Sequence, residues 1–353
     1  MDDFQRTLPK THALLAGESR LHFGGQIAVR HGGTRLFAAF GVVDPETAAP
    51  MTADHVLCWR SAGKPATAVA LYKLHAAGDL SLDDPVARHV PDFGKQAVTL
   101  RHLLTHASGV AFPVVGWPNA DRGTILERIC AAPMKEGAVP GEAAAYDPVA
   151  AWYLLGEVVA RVTGRPVAGA VDELALDGLD AFLSADFEEV AGRLAPQFST
   201  ERGAVRRLHL HERAAVEHAS PGSSCRGTAD ALAGFYESLL DGDLLPPGEV
   251  ADVASRHREG LFDETFAHRV DFGLGLIVNS ARYGAQTVPY GYGLHASETA
   301  FGHGGAQCAI GFADPENGLV AAWVVNGLPG EPRHNKRNRD VNTAIYEDLG
   351  LAP

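Results

Sequence analysis

Cysteine is scarce. The four in 353 residues (Cys58, Cys130, Cys225 and Cys308) lie far apart and form no CxxC pair. Four free thiols in a reducing cytosol is the simplest reading. Long apolar runs are also missing. The longest, such as 319–325, fall well short of a membrane span. The start, Met1-Asp2-Asp3-Phe4-Gln5, has neither the basic head nor the apolar stretch of a secretory signal. A cytoplasmic location is therefore expected, with no membrane partner. Positive charge is in deficit too: 30 basic against 43 acidic residues leave a net charge of −13. Arg206-Arg207 and the basic stretch 333–339 are too small to make a basic face, which argues against a nucleic-acid partner. The 39 Gly and 21 Pro follow no period, so collagen-like and coiled-coil architectures are excluded.

Several catalytic signatures are absent as well. There is no G-x-S-x-G, hence no nucleophile elbow. Gly63-Lys64 lacks the earlier glycine of a phosphate-binding loop. Gly291-Tyr-Gly293-Leu-His-Ala296 mimics a dinucleotide fingerprint without the strand and helix that should flank it. His209-x-His211 is followed by Ala215 where a zincin needs its second histidine, so a solvated His-rich segment is expected and no metal site.

What is present is an ordinary soluble composition, 46% hydrophobic and 21% charged, with ample apolar surface to bury. The length suggests two structural units. An N-terminal helix is expected over 3–17, broken or started near Pro9. Strands over 25–30 and 35–42 flank a turn at His31-Gly32-Gly33. A helix follows over 62–77, with Gly78 as its stop. The middle reads as mostly helical, most clearly over 100–105 and 147–163. Beyond it, 228–240 reads as a helix, 272–279, 299–302, 307–314 and 318–326 as strands, and 339–349 as a closing helix. The expected fold class is α+β: an antiparallel sheet flanked by helices, built from 1–85 and 216–353, with a mostly helical domain inserted over 86–215.

Ser61-Ala62-Gly63-Lys64 opens the helix expected over 62–77. Residues i and i+3 share a helix face roughly 5–6 Å apart at Cβ, so Lys64 reaches the Ser61 hydroxyl. A serine hydroxyl needs a base to become a nucleophile. Lysine serves only if burial or nearby positive charge lowers its pKa from ~10.4 toward neutrality. Ala62, Gly63 and Ala66 are small enough to let it tuck in.

The stretches Ser61-Ala-Gly-Lys64-Pro65, Gly78-Asp-Leu-Ser-Leu-Asp-Asp-Pro85 and Leu100-Arg-His-Leu-Leu-Thr-His-Ala-Ser-Gly109 resemble, in order, the nucleophile helix, turn and LRHLLTHTSG segment of the serine β-lactamase and penicillin-binding-protein superfamily. The resemblance is strongest to class C β-lactamases and the related family VIII esterases and transacylases. Tyr146-Asp147-Pro148 is similar to the family's tyrosine motif, Thr228-Ala-Asp-Ala-Leu-Ala233 to its STA-DLARF helix, and Phe301-Gly-His303-Gly304-Gly305 to the strand carrying K-T-G. The resemblance implies that Ser61 is acylated and that Lys64 is its base partner or positive neighbour. Tyr146 is implied as a second base, and the Ser61 and Ala306 N–H groups as the oxyanion hole. His303, Gly304 and Gly305 are implied to line the substrate edge. It implies no cofactor or metal.

Three departures matter. Pro148 stands where the family has the Asn of Y-x-N, and proline has no donor. His303 stands where the K-T-G lysine supplies a fixed cation, and a histidine is largely neutral at pH 7. No secretory signal is evident. Together they point to a cytoplasmic serine hydrolase of small esters, thioesters or amides rather than β-lactams or cell-wall peptides. A transacylase using the same acyl-enzyme is the alternative, and a non-catalytic binding protein is a third reading. Phe112, Trp117 and Trp152 are candidate aromatic walls of an acyl or alcohol pocket. The oligomeric state is not legible.

Overall fold

The computed structural model describes residues 3–17 and 21–352; Met1-Asp2 at the acidic start lies outside them. Seven strands form one antiparallel sheet: β1 (Gly24–His31), β2 (Thr34–Gly41), β3 (Asp271–Phe272), β4 (Ile277–Val278), β5 (Phe301–Gly305), β6 (Ala309–Asp314) and β7 (Leu319–Val325). Their order across the sheet is β3-β4-β5-β6-β7-β1-β2, so both chain ends contribute. β1 and β7 pair along their length, from Gly25 opposite Val325 to His31 opposite Leu319.

The main helices are α1 (Asp3–Thr7), α2 (Pro9–Ala16), α3 (Lys64–Ala76), α4 (Leu100–Leu104), α5 (Arg122–Ala131), α6 (Ala150–Thr163), α7 (Ala229–Leu240) and α8 (Glu331–Asp348). Helices cover both faces of the sheet, which is why β7 is buried at every position and reads as a continuous apolar run rather than an alternating one. On one face Trp323 and Phe312 meet α8: the Trp323 indole donates to the Asn342 Oδ1 at 2.9 Å, and Phe312 stacks on Tyr346. On the other, Gly311 lies against Leu232 and Tyr236 of α7, where a Cβ would stand 2.6 Å from the tyrosine ring. Small residues on alternate positions of β6 thus let α7 approach. The α+β class with an antiparallel sheet flanked by helices is what the chain adopts.

Three local expectations are corrected. The strand expected over 272–279 is a hairpin: β3 and β4 pair Phe272 with Ile277, and the turn between them uses Gly275 at φ +73°. The closing helix begins at Glu331 rather than 339. Its early turns bury the polar side chains His334, Arg337, Asn338 and Asn342, which disguise the apolar periodicity. Each of the last three is hydrogen-bonded: Arg337 donates to the Gln307 carbonyl, and Asn338 and Asn342 to that of Gly291. The helix expected over 62–77 opens instead as a 3₁₀ turn, Arg60–Gly63, and becomes α-helical at Lys64. That turn packs against β5, which brings the nucleophile motif to the sheet edge. α6 packs along α3 and places the segment before it, which carries Tyr146, over the start of α3.

Candidate active site

Backbone strain marks the site. Among the described residues, seven other than glycine have φ in the left-handed region; of these Arg60 precedes Ser61, Tyr290 lines the same cavity as Ser61, His106 packs on the Tyr146 ring, and Gln307 donates its N–H to the Tyr290 hydroxyl. Such strain persists only where the surroundings hold it, and it concentrates at functional positions. Arg60, next to Ser61, is held by its Nε donating to Gln197 Oε1 at 3.1 Å, while Gln197 donates to the Cys58 carbonyl.

Lys64 is fully buried. Its Nζ is within 2.6 Å of the carbonyl oxygens of Pro148 and Gly222, and 3.2 Å from Ser61 Oγ. Gly222 makes this possible: a Cβ there would stand 3.0 Å from the amine and 2.7 Å from the Trp152 ring. Burial drives the Lys64 pKa down to about 7, against the opposing pull of the Asp147 carboxylate. A neutral amine has two N–H groups and one lone pair. The two carbonyls take the N–H groups, leaving the lone pair for the Ser61 hydroxyl.

The Tyr146 hydroxyl hydrogen-bonds Ser61. Burial raises its pKa well above the ordinary phenol value, and the acidic Asp147, Asp263 and Glu331 raise it further, against the lowering effect of the Ser61 bond. The phenol is therefore neutral at pH 7. Burial outweighs the neighbouring lysine, which is itself not a firm cation. Asp147 caps α6 by accepting from the Val149 and Ala151 N–H groups. Asp263 Oδ1 accepts from the N–H groups of Tyr146, Thr265 and Phe266, and its other oxygen pairs with buried Arg258 at 3.0 Å. This ion pair fixes the tyrosine and the 263–266 turn as one unit.

His303 on β5 is buried, and burial lowers its pKa to about 3. Its Nδ1 lies 2.7 Å from the Gly304 carbonyl, so the proton sits on Nδ1. Its Nε2 is an acceptor without a partner among the described residues. Where the resemblance places a lysine cation, this site holds a neutral ring. The neighbouring Gly304 takes the K-T-G threonine position, and a Cβ there would stand 2.1 Å from the Tyr290 ring, which occupies that space. Ser61 and Ala306, whose N–H groups the resemblance implies as the oxyanion hole, both line the same cavity.

A family model described as Beta-lactamase matches residues 16–344. The chain belongs to the beta-lactamase family. Esterase EstB of Burkholderia gladioli is 30% identical over 302 residues, covering 72% of this chain and 75% of that one. Among solved structures, EstCE1, described as a hydrolase with promiscuous acyltransferase activity, superposes with a TM-score of 0.82 at 20% identity, covering 98% of this chain and all of the other. Unliganded simvastatin synthase (LovD) of Aspergillus terreus superposes with a TM-score of 0.78 at 21% identity over 98% of each chain. This beta-lactamase-family chain is an enzyme of the serine hydrolase class.

A cavity of about 470 Å³ opens on Ser61, lined by Tyr146, His303, Gly304 and Ala306 together with Phe266, Tyr290, Glu331 and Asn335. The aromatic walls differ from those expected. Trp152 is fully buried beneath Lys64, its ring centroid 5.1 Å from the amine. Trp117 hydrogen-bonds the His218 carbonyl, and Phe112 lines a neighbouring cavity that shares Tyr146. Gly305 turns toward the Trp59 carbonyl, where a Cβ would stand 2.0 Å away, and does not line the cavity. Phe266 and Tyr290 take the wall positions. They come from the irregular segment after α7, where no periodicity singles out an aromatic. His106 was also missed as a site residue: it packs 4.5 Å from the Tyr146 ring, and its Nδ1 accepts from the Asp147 N–H. Its place in the Leu100–Gly109 motif was the available signal.

Among the described residues no group of three His, Cys, Asp or Glu is placed to hold a metal; His209 instead pairs with Glu212 at the surface. No described helix is long and apolar enough to cross a membrane.

Proposed function

We propose that this enzyme hydrolyses small esters in the cytoplasm through an acyl-Ser61 intermediate. The observation that carries the reading is the buried Lys64 amine, saturated by two carbonyls and aimed at the Ser61 hydroxyl. Ser61 Oγ attacks the substrate carbonyl carbon while its proton passes to Lys64 Nζ. The Ser61 and Ala306 N–H groups bind the resulting oxyanion, an interaction worth about 3 kcal/mol per donor in such sites. When the ester C–O bond breaks, neutral Tyr146 gives its proton to the leaving alkoxide and is reprotonated from Lys64. Water then attacks the acyl carbon and passes its proton through Tyr146 to Lys64; the bond to Ser61 Oγ breaks, Lys64 returns that proton to the serine oxygen, and the acid leaves.

Passage of the acyl group to an alcohol or amine is the second reading. It is favoured by the apolar walls Phe266 and Tyr290 and by the acyltransferase activity named for EstCE1. The neutral His303 and donor-free Pro148 argue against recognition of a β-lactam or peptide carboxylate. The test is turnover of p-nitrophenyl butyrate by wild type and Ser61→Ala, with and without added butanol. Turnover confined to the wild type is expected. A butyl ester product assigns transfer, its absence hydrolysis. Undiminished turnover by Ser61→Ala overturns the reading.

A further inference from the structure

The cavity over Ser61 is lined by aromatic faces, and Glu331 is the charged side chain on its wall. Tyr146 and Phe266 pack on each other, 4.7 Å apart between ring centroids at 33°, with the Lys64 amine 5.5 Å from the Tyr146 centroid; Phe266 and Tyr290 lie 6.1 Å apart at 59°, and all three rings line the cavity. Glu331, at the first turn of α8, closes the rim. The Tyr290 hydroxyl stands 3.2 Å from each of its carboxylate oxygens and donates to it. Among the described residues no basic side chain pairs with Glu331; its polar partners are Tyr290 and Gln307. The other charged groups nearby are already matched: Arg258 with Asp263, Lys135 with Glu264. Lys64 sits behind Ser61 against two carbonyls, and Arg337 faces the Gln307 carbonyl from beneath α8. His303 Nε2 and the Asn335 amide oxygen, both at the cavity wall, have no partner among the described residues. Among the described residues the cavity rim thus offers a carboxylate without a basic partner and ring faces, and the nearest amine, Lys64, is turned to two carbonyls behind Ser61.

We infer that the substrate of this enzyme carries a cationic nitrogen, seated against Phe266 and Tyr290 and held by the Glu331 carboxylate. Aromatic faces attract an ammonium through their quadrupole, and the Phe266 and Tyr290 rings with a carboxylate at the rim form a seat suited to one. A low-dielectric cleft of one sign of charge concentrates the opposite sign. The inference deepens the proposed function, on which it rests for the identity of the catalytic cavity, and it names the substrate class: amino-alcohol or amino-acyl esters.

The test is binding of choline and of its neutral isostere 3,3-dimethylbutan-1-ol to the wild-type protein by calorimetry, at pH 8 and low salt. Neither compound can acylate Ser61, so the measurement stands apart from catalysis. Choline is expected to bind about tenfold more tightly than the alcohol. Glu331→Gln removes one charge from an exposed rim position, keeps the shape, and is expected to abolish most of that preference; its Tm checks that it is folded. Equal binding of both compounds by the wild type, or an unchanged preference in Glu331→Gln, would overturn the inference. A Ser61 adduct without choline preference sinks this inference alone; choline preference without an adduct sinks the proposed function alone.

Discussion

The pH dependence of turnover should follow Lys64. A lysine at its ordinary pKa of ~10.4 is neutral in only about one molecule in a few thousand at pH 7. Burial brings the Lys64 pKa to about 7, where half the molecules hold a free amine. The change corresponds to on the order of 5 kcal/mol against the ammonium, and raises the population able to accept the Ser61 proton about a thousandfold. The sign is fixed: the protonated form is inactive, so kcat/KM falls as pH drops through 7 and reaches a plateau above it. Initial rates with p-nitrophenyl butyrate from pH 5.5 to 9 give this profile for the free enzyme. Lys64→Arg keeps the charge and the donors to Pro148 and Gly222 but has no lone pair; it should lose about 10²–10⁴ of kcat/KM. Lys64→Gln, smaller and neutral, checks that the loss is not overpacking. A flat wild-type profile over this range, or a Lys64→Arg variant within tenfold of wild type, would refute the assignment of Lys64 as base.

Tyr146→Phe removes the proton relay but keeps the ring against His106 and Phe266. It should lower kcat/KM about a hundredfold or more, and a Tm within about 3 °C of wild type would confirm that packing is retained. Asp263→Ala strands the Arg258 guanidinium, which is buried against the Phe272 ring, 4.3 Å from its centroid. A loss of about 3–5 kcal/mol is expected in urea unfolding; a loss under 1 kcal/mol would show that the pair is not what holds the turn. Gly304→Thr places a Cβ 2.1 Å from the Tyr290 ring. It should displace that wall and raise KM for aromatic esters, and an unchanged KM would show that Tyr290 does not line the substrate path.

The elements most legible in sequence were those whose period or punctuation was undisguised. β1 and β2 around His31-Gly32-Gly33 and α7 after Thr228 appear within a residue or two of expectation. The Thr228 side chain accepts from the Ala231 N–H as a cap should. α8 was half hidden, because buried Arg337, Asn338 and Asn342 read as surface until their backbone partners are known. In the site, the Ser61–Lys64 pairing followed from i, i+3 spacing, and the structure adds what spacing cannot supply: the Pro148 and Gly222 carbonyls, distant in sequence, that orient the amine. The expected wall of Phe112, Trp117 and Trp152 rested on residue type alone. Which aromatics face a cavity depends on tertiary packing, and here a loop held by Asp263 and a tyrosine lying over Gly304 provide them.

The central claim is that Ser61 is an activated nucleophile. Intact-protein mass after incubation with a fluorophosphonate, with wild type beside Ser61→Ala, tests it most directly. A single adduct on the wild type, mapped to the peptide carrying Ser61 and absent from the variant, is the predicted result. An unmodified wild type, or an adduct that persists in Ser61→Ala, would contradict the account.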